Sequence, residues 1–210
     1  MVLYKRLVEH DMHQTTHNTY NQSAGSLSQH YDEIGSRDGD IDLAFTLAGN
    51  PTNAAVLELG CGNGRDAREI IRRTPNYLGV DSSEKMIEIA KSKVPKGTFI
   101  TADVLNYEFL GPYDIVFAFA LLRHISLVEL PAFLKQVGES LKPGGVLYIS
   151  SPHSDSYHHV SLNDRYGTRE MHYYNPAIIQ KYCPASLKKA QEIYDAVNGV
   201  EWFELALKKI

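Results

Sequence analysis

The sequence predicts a doubly wound α/β fold built around a mostly parallel sheet. From Ala54 onward, short apolar runs rich in β-branched and aromatic residues alternate with amphipathic stretches, and this alternation is typical of strand–helix units. Each run is bounded by Gly, Pro, Asp or Asn, as expected for buried strands that end in turns. The predicted strands are Ala54–Leu59, Tyr77–Val80, Thr98–Ala102, Tyr113–Phe119 and Val146–Ser150.

Three segments between these strands have helical periodicity. Arg65–Arg73 and Glu84–Lys93 each place three apolar residues on one face. Between Leu127 and Leu141 the apolar residues step by three and four positions, and the Pro-Gly-Gly at 143–145 then stops the helix. These helices connect the parallel strands.

The C-terminal part predicts one more helix and a hairpin. Asn175 followed by Pro176 is typical of a helix N-cap with proline at the first helical position. The terminal EWFELALKKI alternates apolar and polar residues and predicts a strand, with Leu187–Ala196 as its partner. Helices on both faces of the sheet then give an α/β/α sandwich.

We expect one domain over residues 1–210, since this length suits a single core. Within it, residues 54–150 form the core, 151–175 an insert, and 176–210 the terminal helix and β-hairpin. Residues 1–50 are polar, with a short apolar periodicity around Ile41.

Composition limits the classes of partner. A net charge of −4 and a pI of about 6.1 give no general attraction for phosphate backbones, so no nucleic acid is expected. The N-terminus has no apolar core of signal-peptide length, and no run reaches the roughly 18 apolar residues of a membrane span. We therefore expect a soluble cytoplasmic protein that does not enter membranes. Cys61 and Cys183 are far apart, so neither a disulfide framework nor a metal site is indicated.

Three alternate glycines follow the first predicted strand, in VLELGCGNGRD at 56–66. Gly60, Gly62 and Gly64 allow positive φ and let a ligand lie against bare backbone. A helix starting near Arg65 would offer free N–H groups to an anionic part of that ligand. In such sheets, ligands bind outside the carboxyl ends of the strands. Dinucleotide sites use G-x-G-x-x-G, and the spacing here is G-x-G-x-G, which disfavours a nicotinamide dinucleotide.

Two aspartates end the second and third predicted strands. Asp81 is placed to accept hydrogen bonds from both hydroxyls of a ribose, and Asp103 to accept from an exocyclic amine of a base. Either one alone could be a helix N-cap or a surface charge. Because both end neighbouring strands, together they predict a nucleoside site.

These segments resemble a known family. The ordered set VLELGCGNGRDAREI, GVDSSEKMIEIAKSK, TADVLNY, YDIVFAFALLRHI and LKPGGVLYISSP is similar to the motifs of class I S-adenosylmethionine-dependent methyltransferases, over roughly residues 54–152. The resemblance implies a Rossmann-like seven-stranded, mostly parallel sheet with an antiparallel terminal strand. It also implies S-adenosyl-L-methionine as cofactor and a small-molecule acceptor, in a monomer or homodimer.

The same resemblance assigns residues to the cofactor. Asp81 would hold the ribose hydroxyls, Asp103 and Val104 the adenine, and Arg37 the methionine carboxylate, while residues 1–50 would form a helical cap over the cofactor. Cys61 is expected to act as a small residue without thiol chemistry. The implied cofactor-binding residues are Tyr20, Arg37, Glu58, Gly60, Cys61, Gly62, Asp81, Ser82, Met86, Asp103, Val104 and Ala118.

Residues beyond the fourth and fifth strands are candidates for the acceptor side. His124, in LLRHI, is predicted either as a general base or as a residue that only shapes the pocket. The insert between 151 and 175 predicts either an acceptor pocket or a solvated flap, because it is rich in histidine and tyrosine. A helix carrying His10, His13 and His17 on one face is expected to be a polar surface helix without metal.

Two other functions stay open from the sequence. One is a non-catalytic S-adenosylmethionine-binding regulatory or partner protein of the same fold. The other is a nicotinamide-dependent oxidoreductase, which the glycine spacing disfavours. Base N-methyltransferases of this fold carry an Asn or Asp followed by Pro-Pro and an aromatic after the fourth strand. This chain has AFALLR at that place, so RNA and DNA are not expected as methyl acceptors.

Overall fold

A computed structural model of the chain describes residues 13–197 and 199–210. His10, assigned above to a histidine-bearing helix face, lies outside these described residues. The helices are α1 (described over 13–22), α2 (Ala24–Ile34), α3 (Asp38–Leu47), α4 (Ala67–Arg73), α5 (Glu84–Lys93), α6 (Leu130–Ser140) and α7 (Pro176–Tyr182). The strands are β1 (Val56–Leu59), β2 (Tyr77–Asp81), β3 (Thr98–Thr101), β4 (Tyr113–Phe119), β5 (Leu141–Pro152), β6 (His158–Asp164), β7 (Gly167–Tyr173), β8 (Leu187–Val197) and β9 (Val200–Lys209).

Seven strands form one sheet in the order β3-β2-β1-β4-β5-β9-β8. The pairs among β1 to β5 are parallel, and β9 runs antiparallel to both β5 and β8. The predicted seven-stranded, mostly parallel sheet with its antiparallel terminal strand is therefore confirmed. Strands β2 and β4 lie on opposite sides of β1, so the strand order reverses at β1. Sheets of this kind bind ligands at the point of reversal.

Alternate residues of each central strand supply two separate cores. On β4, Ile115 and Phe117 pack toward α3, α4 and α5, whereas Val116 and Ala118 pack toward α6 and α7. All four side chains are fully buried. This period of two, with helices on both faces, produces the predicted α/β/α sandwich.

The predicted helix boundaries hold where local signals are complete. Glu84–Lys93 is helical as predicted, and Ser83 caps it by accepting a hydrogen bond from the Met86 N–H. Asn175 likewise caps α7 by accepting from the Ile178 N–H. Helix α6 starts at Leu130, later than the periodicity from Leu127 indicates, because Pro131 has no N–H and fits the first turn of a helix.

The insert forms a hairpin that the sequence did not predict. Strands β6 and β7 pair antiparallel from His158 opposite Tyr173 to Asp164 opposite Gly167. Three hydrogen bonds join this hairpin to the N-terminal helices: Thr19 Oγ1 donates to the Thr168 carbonyl (2.6 Å), Ser23 Oγ to the Tyr166 carbonyl (2.6 Å), and the Glu170 N–H to Thr16 Oγ1 (2.9 Å). The hairpin and α1 thus cover the same edge of the sheet.

Candidate active site

A cleft of about 1610 Å³ lies at the carboxyl ends of the central strands. Its floor contains the loop after β1 and the ends of β2, β3 and β4. Its walls come from α1, α2, the β6–β7 hairpin and the terminal strands. Pockets that bind one small molecule have volumes of about 300–1,000 Å³, so this cleft has room for two small molecules side by side.

The glycine loop has the backbone that its composition predicts. Gly60, Gly62 and Gly64 all have positive φ, at 71°, 52° and 75°, a region that L side chains adopt at a cost. The N–H groups of Gly60 and Cys61 donate to the Val80 carbonyl at 2.8 and 3.1 Å and fix the loop to β2. A Cβ on Gly62 would meet no atom within 4 Å. Bare backbone therefore faces the cleft at this position.

Asp81 ends β2 and fixes the same loop. One of its carboxylate oxygens accepts from the Gly62 N–H and the other from the Ser83 N–H, both at 2.9 Å. Burial raises its pKa above the ordinary value, against the effect of these two bonds. Each oxygen keeps a further acceptor position, so Asp81 can still accept hydroxyl groups from a ligand in the cleft.

Asp103 and Val104 follow β3 on the next part of the cleft floor. The Asp103 carboxylate is exposed and accepts from the Leu105 N–H at 3.0 Å and from Asn106 Nδ2 at 2.7 Å. Val104 is 7% exposed and supplies an apolar surface beside it. The arrangement suits a flat ring with a polar edge.

Glu58 and Cys61 are buried at the inner end of the cleft. Glu58 is 2% exposed and accepts a hydrogen bond from the Tyr77 hydroxyl, and burial, followed by the charge of Asp66, raises its pKa well above the usual range. Burial also raises the pKa of the Cys61 thiol. Cys61 is therefore a neutral thiol, consistent with a packing role.

Arg37 is held against a buried carboxylate. Its backbone N–H donates to Asp66 Oδ1 at 2.9 Å, and Nη1 of its side chain donates to Asp66 Oδ2 at 3.2 Å. Its guanidinium lies 5.1 Å from the Phe119 ring centroid and 5.8 Å from that of Trp202. Asp66 is 3% exposed and also accepts from Arg65 Nη2 at 2.6 Å. This network lines the end of the cleft opposite Asp103.

His124 contacts Tyr20 across the acceptor side of the cleft. The Tyr20 hydroxyl lies 3.0 Å from His124 Nε2, and His124 Nδ1 lies 3.3 Å from the Glu170 carbonyl. Since a carbonyl only accepts, Nδ1 carries the proton and Nε2 accepts from Tyr20. Burial, followed by the charge of Arg123, lowers the pKa of His124 to about 3. The ring is therefore neutral across the physiological pH range.

Comparisons with known proteins agree with this geometry. Residues 56–145 match the model of a family described as a methyltransferase domain. A trans-aconitate 2-methyltransferase of Azoarcus sp. (strain BH72) is 34% identical over 101 residues, which are 47% of this chain and 39% of that relative. The chain thus spans about two fifths of the length of the curated relatives it matches.

Over residues 56–145, the chain is thus similar to methyltransferase domains.

Solved structures show the same fold over more of the chain. The magnesium protoporphyrin IX methyltransferase of Synechocystis PCC 6803, solved with bound S-adenosylmethionine, superposes with a TM-score of 0.68 at 18% identity, over 98% of this chain and 97% of that one. An amino pentose methyltransferase of Micromonospora echinaspora gives a TM-score of 0.65 at 17% identity, over 82% and 91% of the two chains. At these identities the likeness concerns the fold.

The cleft brings together most of the residues that the sequence assigned to the cofactor. Met86 and Ala118 do not line it. Met86 is 1% exposed and packs with Ala24 and Leu27 of α2, and Ala118 is fully buried within β4, where Phe119 and Ala120 reach the cleft instead. The residues that do line it are Tyr20, Arg37, Glu58, Gly60, Cys61, Gly62, Asp81, Ser82, Asp103, Val104 and His124.

The predicted helix N-terminus is occupied by the protein's own charge. Helix α4 begins at Ala67, two residues later than predicted, and Asp66 is its N-cap. The carboxylate of Asp66 stands at this end and is bound by Arg37 and Arg65. An anionic part of a ligand would therefore meet arginine side chains here rather than free N–H groups.

Several residues of the cleft were not found from the sequence. Asp66 is one, although an acid directly after GCGNGR was visible as a signal. Asn63 is 1% exposed and donates from Nδ2 to Ser28 Oγ at 2.9 Å and to Asp32 Oδ1 at 3.0 Å, which ties the glycine loop to α2. Arg123, Arg169 and Tyr31 also line the cleft, and no sequence pattern marks them.

The histidines of the insert pair with neighbouring groups. His159 Nε2 lies 2.7 Å from Glu170 Oε2, His172 Nδ1 lies 2.9 Å from the Tyr157 hydroxyl, and His153 Nδ1 lies 2.7 Å from Glu201 Oε2. Within 13–197 and 199–210, no group of three His, Cys, Asp or Glu side chains has the arrangement of a metal site. The hairpin itself forms part of the cleft wall, through residues such as Tyr166 and Tyr173.

Proposed function

We propose that the chain is an S-adenosylmethionine-dependent methyltransferase that transfers a methyl group to an oxygen or nitrogen atom of a small molecule. The observation that carries the proposal is the continuous cleft in which the bare backbone at Gly62 lies beside Asp81 and Asp103. These groups suit a nucleoside with an attached amino acid. They provide an acceptor for ribose hydroxyls, an acceptor for an amine of the base, and room for close contact with the backbone.

The residues present fit this cofactor. Asp81 would accept the ribose hydroxyls, Asp103 and Val104 would hold adenine, and Arg37 would face the methionine carboxylate next to Asp66. Glu58, Gly60, Cys61 and Ser82 would border the same ligand. A side chain at Gly62 would enter the space that the ligand needs, because nothing else lies within 4 Å of that Cβ position.

When bound, the cofactor supplies a methyl group on a sulfonium, which the acceptor takes in one in-line displacement. The chain's task is to hold the acceptor on that axis and to keep water out. Helix α1 and the β6–β7 hairpin would do this as a cap, through the hydrogen bonds of Thr19 and Ser23 to the hairpin.

His124 as a proton acceptor stays part of the proposal. Its neutral ring can accept a proton, but a pKa of about 3 makes it a weak base. Its Nε2 already accepts from the Tyr20 hydroxyl. A proton leaving the acceptor molecule would therefore pass through Tyr20, and acceptors that lose no proton would not need His124 as a base.

We also propose a cytoplasmic location, a monomer or homodimer, and no nucleic-acid partner. The acidic balance of the sequence supports the last of these. No helix in the described part of the chain is long and apolar enough to span a membrane.

Isothermal titration with S-adenosylmethionine, S-adenosylhomocysteine and NADH tests the proposal. We expect micromolar binding of the first two and none of NADH, followed by transfer of labelled methyl to small acceptors. Tight binding without any turnover would favour a non-catalytic binding protein of this fold. Binding of NADH alone would favour an oxidoreductase and refute the proposal.

A further inference from the structure

Within the part of the chain that the structure describes, Arg123 is a cleft cation without a counter-charge. It lies in the 3-10 turn Leu122–His124 after β4, is half-buried and lines the cleft. Its Nε atom is buried and has no hydrogen-bond partner. Across residues 13–197 and 199–210, nothing forms an ion pair or hydrogen bond with its guanidinium. A partly desolvated charge without a partner is costly, so this position calls for an anion.

The other arginines of the cleft each contact a carboxylate. Arg37 and Arg65 share the carboxylate of Asp66. Arg169, which is 7% exposed, pairs with Asp164. Among residues 13–197 and 199–210, Arg123 is therefore the arginine of the cleft that pairs with no carboxylate.

The groups around Arg123 are donors rather than acids. Tyr20 and Tyr31 line this part of the cleft with their hydroxyls. Burial raises the pKa of Tyr31 above its usual range, and the charges of Arg169 and Arg123 oppose that rise. The nearby Glu129 is engaged elsewhere, since its oxygens bind the Ser126 N–H and His13, both at 2.8 Å. Of the residues that the structure describes, none supplies a carboxylate to Arg123, although the whole chain carries a net charge of −4.

The geometry separates this position from the cofactor's own carboxylate. That cofactor carries one carboxylate, and its proposed partner Arg37 lies beside Asp66, Phe119 and Trp202. Arg123 instead adjoins His124, which contacts Tyr20. The two arginines thus serve different ligands.

We propose that Arg123 binds a carboxylate of the methyl acceptor, with the Tyr31 hydroxyl beside it, so that the substrates are small organic acids. The inference rests on the proposed function, because it concerns the acceptor of that same site. A guanidinium holds a carboxylate through two parallel N–H donors. Arg123 is thus the residue that selects acids over their neutral analogues.

The test is titration of the protein, with and without saturating S-adenosylhomocysteine, using trans-aconitate, glutarate and benzoate against glutaramide and benzamide. We expect at least one acid to bind and the amides not to bind. Arg123→Gln should weaken binding of the acid roughly 10–100-fold. Arg123→Lys should weaken it less, because lysine keeps the positive charge and loses only the two parallel N–H donors of the guanidinium. Arg72→Gln is the matched control, since Arg72 is 73% exposed and pairs with Glu69.

Three results would overturn the inference. One is that no acid binds, or that Arg123→Gln binds the acid as the unchanged protein does. Another is a parallel loss of S-adenosylhomocysteine affinity in Arg123→Gln, which would assign Arg123 to the cofactor. The third is preferential, Arg123-dependent binding of inorganic phosphate, which would make the ligand a phosphate ester. If the unchanged protein binds no S-adenosylhomocysteine, the proposed function fails, and the titration without it still decides the role of Arg123.

Discussion

Replacing Asp81 by Asn separates the binding of a ligand from the stability of the loop. The carboxylate accepts two backbone N–H groups at 2.9 Å, and an Asn amide can accept only one of them. A hydrogen bond to a charged acceptor contributes about 1.5–3 kcal/mol. For the fold, the lost bond is partly offset because a buried charge with a raised pKa is removed. We expect the free energy of unfolding to fall by about 1 kcal/mol, or roughly 2–4 °C in Tm.

The effect on S-adenosylmethionine should be larger. A ribose hydroxyl that loses a charged acceptor weakens binding by about 1.5–3 kcal/mol, or roughly 10–150-fold in Kd. Titration calorimetry measures the Kd and thermal unfolding measures the Tm. Asp155→Asn is the control, because Asp155 is exposed in the turn after β5. An unchanged Kd for Asp81→Asn, or a loss of folding as large as the loss of binding, would refute the assignment of Asp81 to the ribose.

The remaining predictions concern the loop and two titrating side chains. Gly60→Ala and Gly62→Ala each place a side chain at positive φ, which should lower the free energy of unfolding by about 1–2 kcal/mol. The two variants differ in contacts, because a Cβ at Gly60 lies 3.1 Å from Leu121 Cδ1 and a Cβ at Gly62 meets no atom within 4 Å. Urea unfolding should therefore show the greater loss for Gly60→Ala, and equal losses would contradict that contact. His124 has a folded pKa of about 3, below its unfolded value, so the protein should lose stability as pH falls below about 6.5. His124→Gln should remove about 1–2 kcal/mol of that loss between pH 7.5 and 5, and an unchanged slope would mean that the ring protonates in the folded state. Burial raises the pKa of Glu204 to about 7, so the opposite sign applies: stability falls as pH rises from about 4.5 through 7. Glu204→Gln should gain about 1 kcal/mol at pH 8.5 relative to pH 5, once solvent screening is allowed for, and no gain would show that this carboxyl is well solvated.

The sequence predicted the limits of a helix or strand correctly where the segment itself carries the signals. Strand β4 has the predicted limits Tyr113–Phe119, and helix α5 has the predicted limits Glu84–Lys93. Both segments contain their own periodicity and their own end signals. The hairpin of β6 and β7 was missed, since β6 is polar and mostly exposed and β7 buries Arg169 and His172 beside Met171, so no apolar alternation marks either strand.

For the cleft, the sequence identified the residues whose role depends on position along a strand. Gly62 and Asp81 follow directly from the ends of β1 and β2, because parallel strands bring their carboxyl ends to one edge. Met86 shows the limit of this reasoning. It follows Asp81 closely in sequence, but the helical turn directs its side chain into the packing between α2 and α5.

The sequence alone determined the sheet, its helices on both faces and the resemblance of the core to methyltransferase domains, because these are encoded by hydrophobic period, turn residues and glycine spacing within short segments. Only the tertiary structure decided that Tyr20 meets His124 across 104 positions of chain, that Asp66 binds Arg37, and that none of the described residues supplies a counter-charge to Arg123. Such pairings arise when separate elements pack together, and they follow from the packing geometry of α1 and the hairpin on the sheet. No local pattern records them, since the burial and charge of a side chain depend on neighbours far away in sequence.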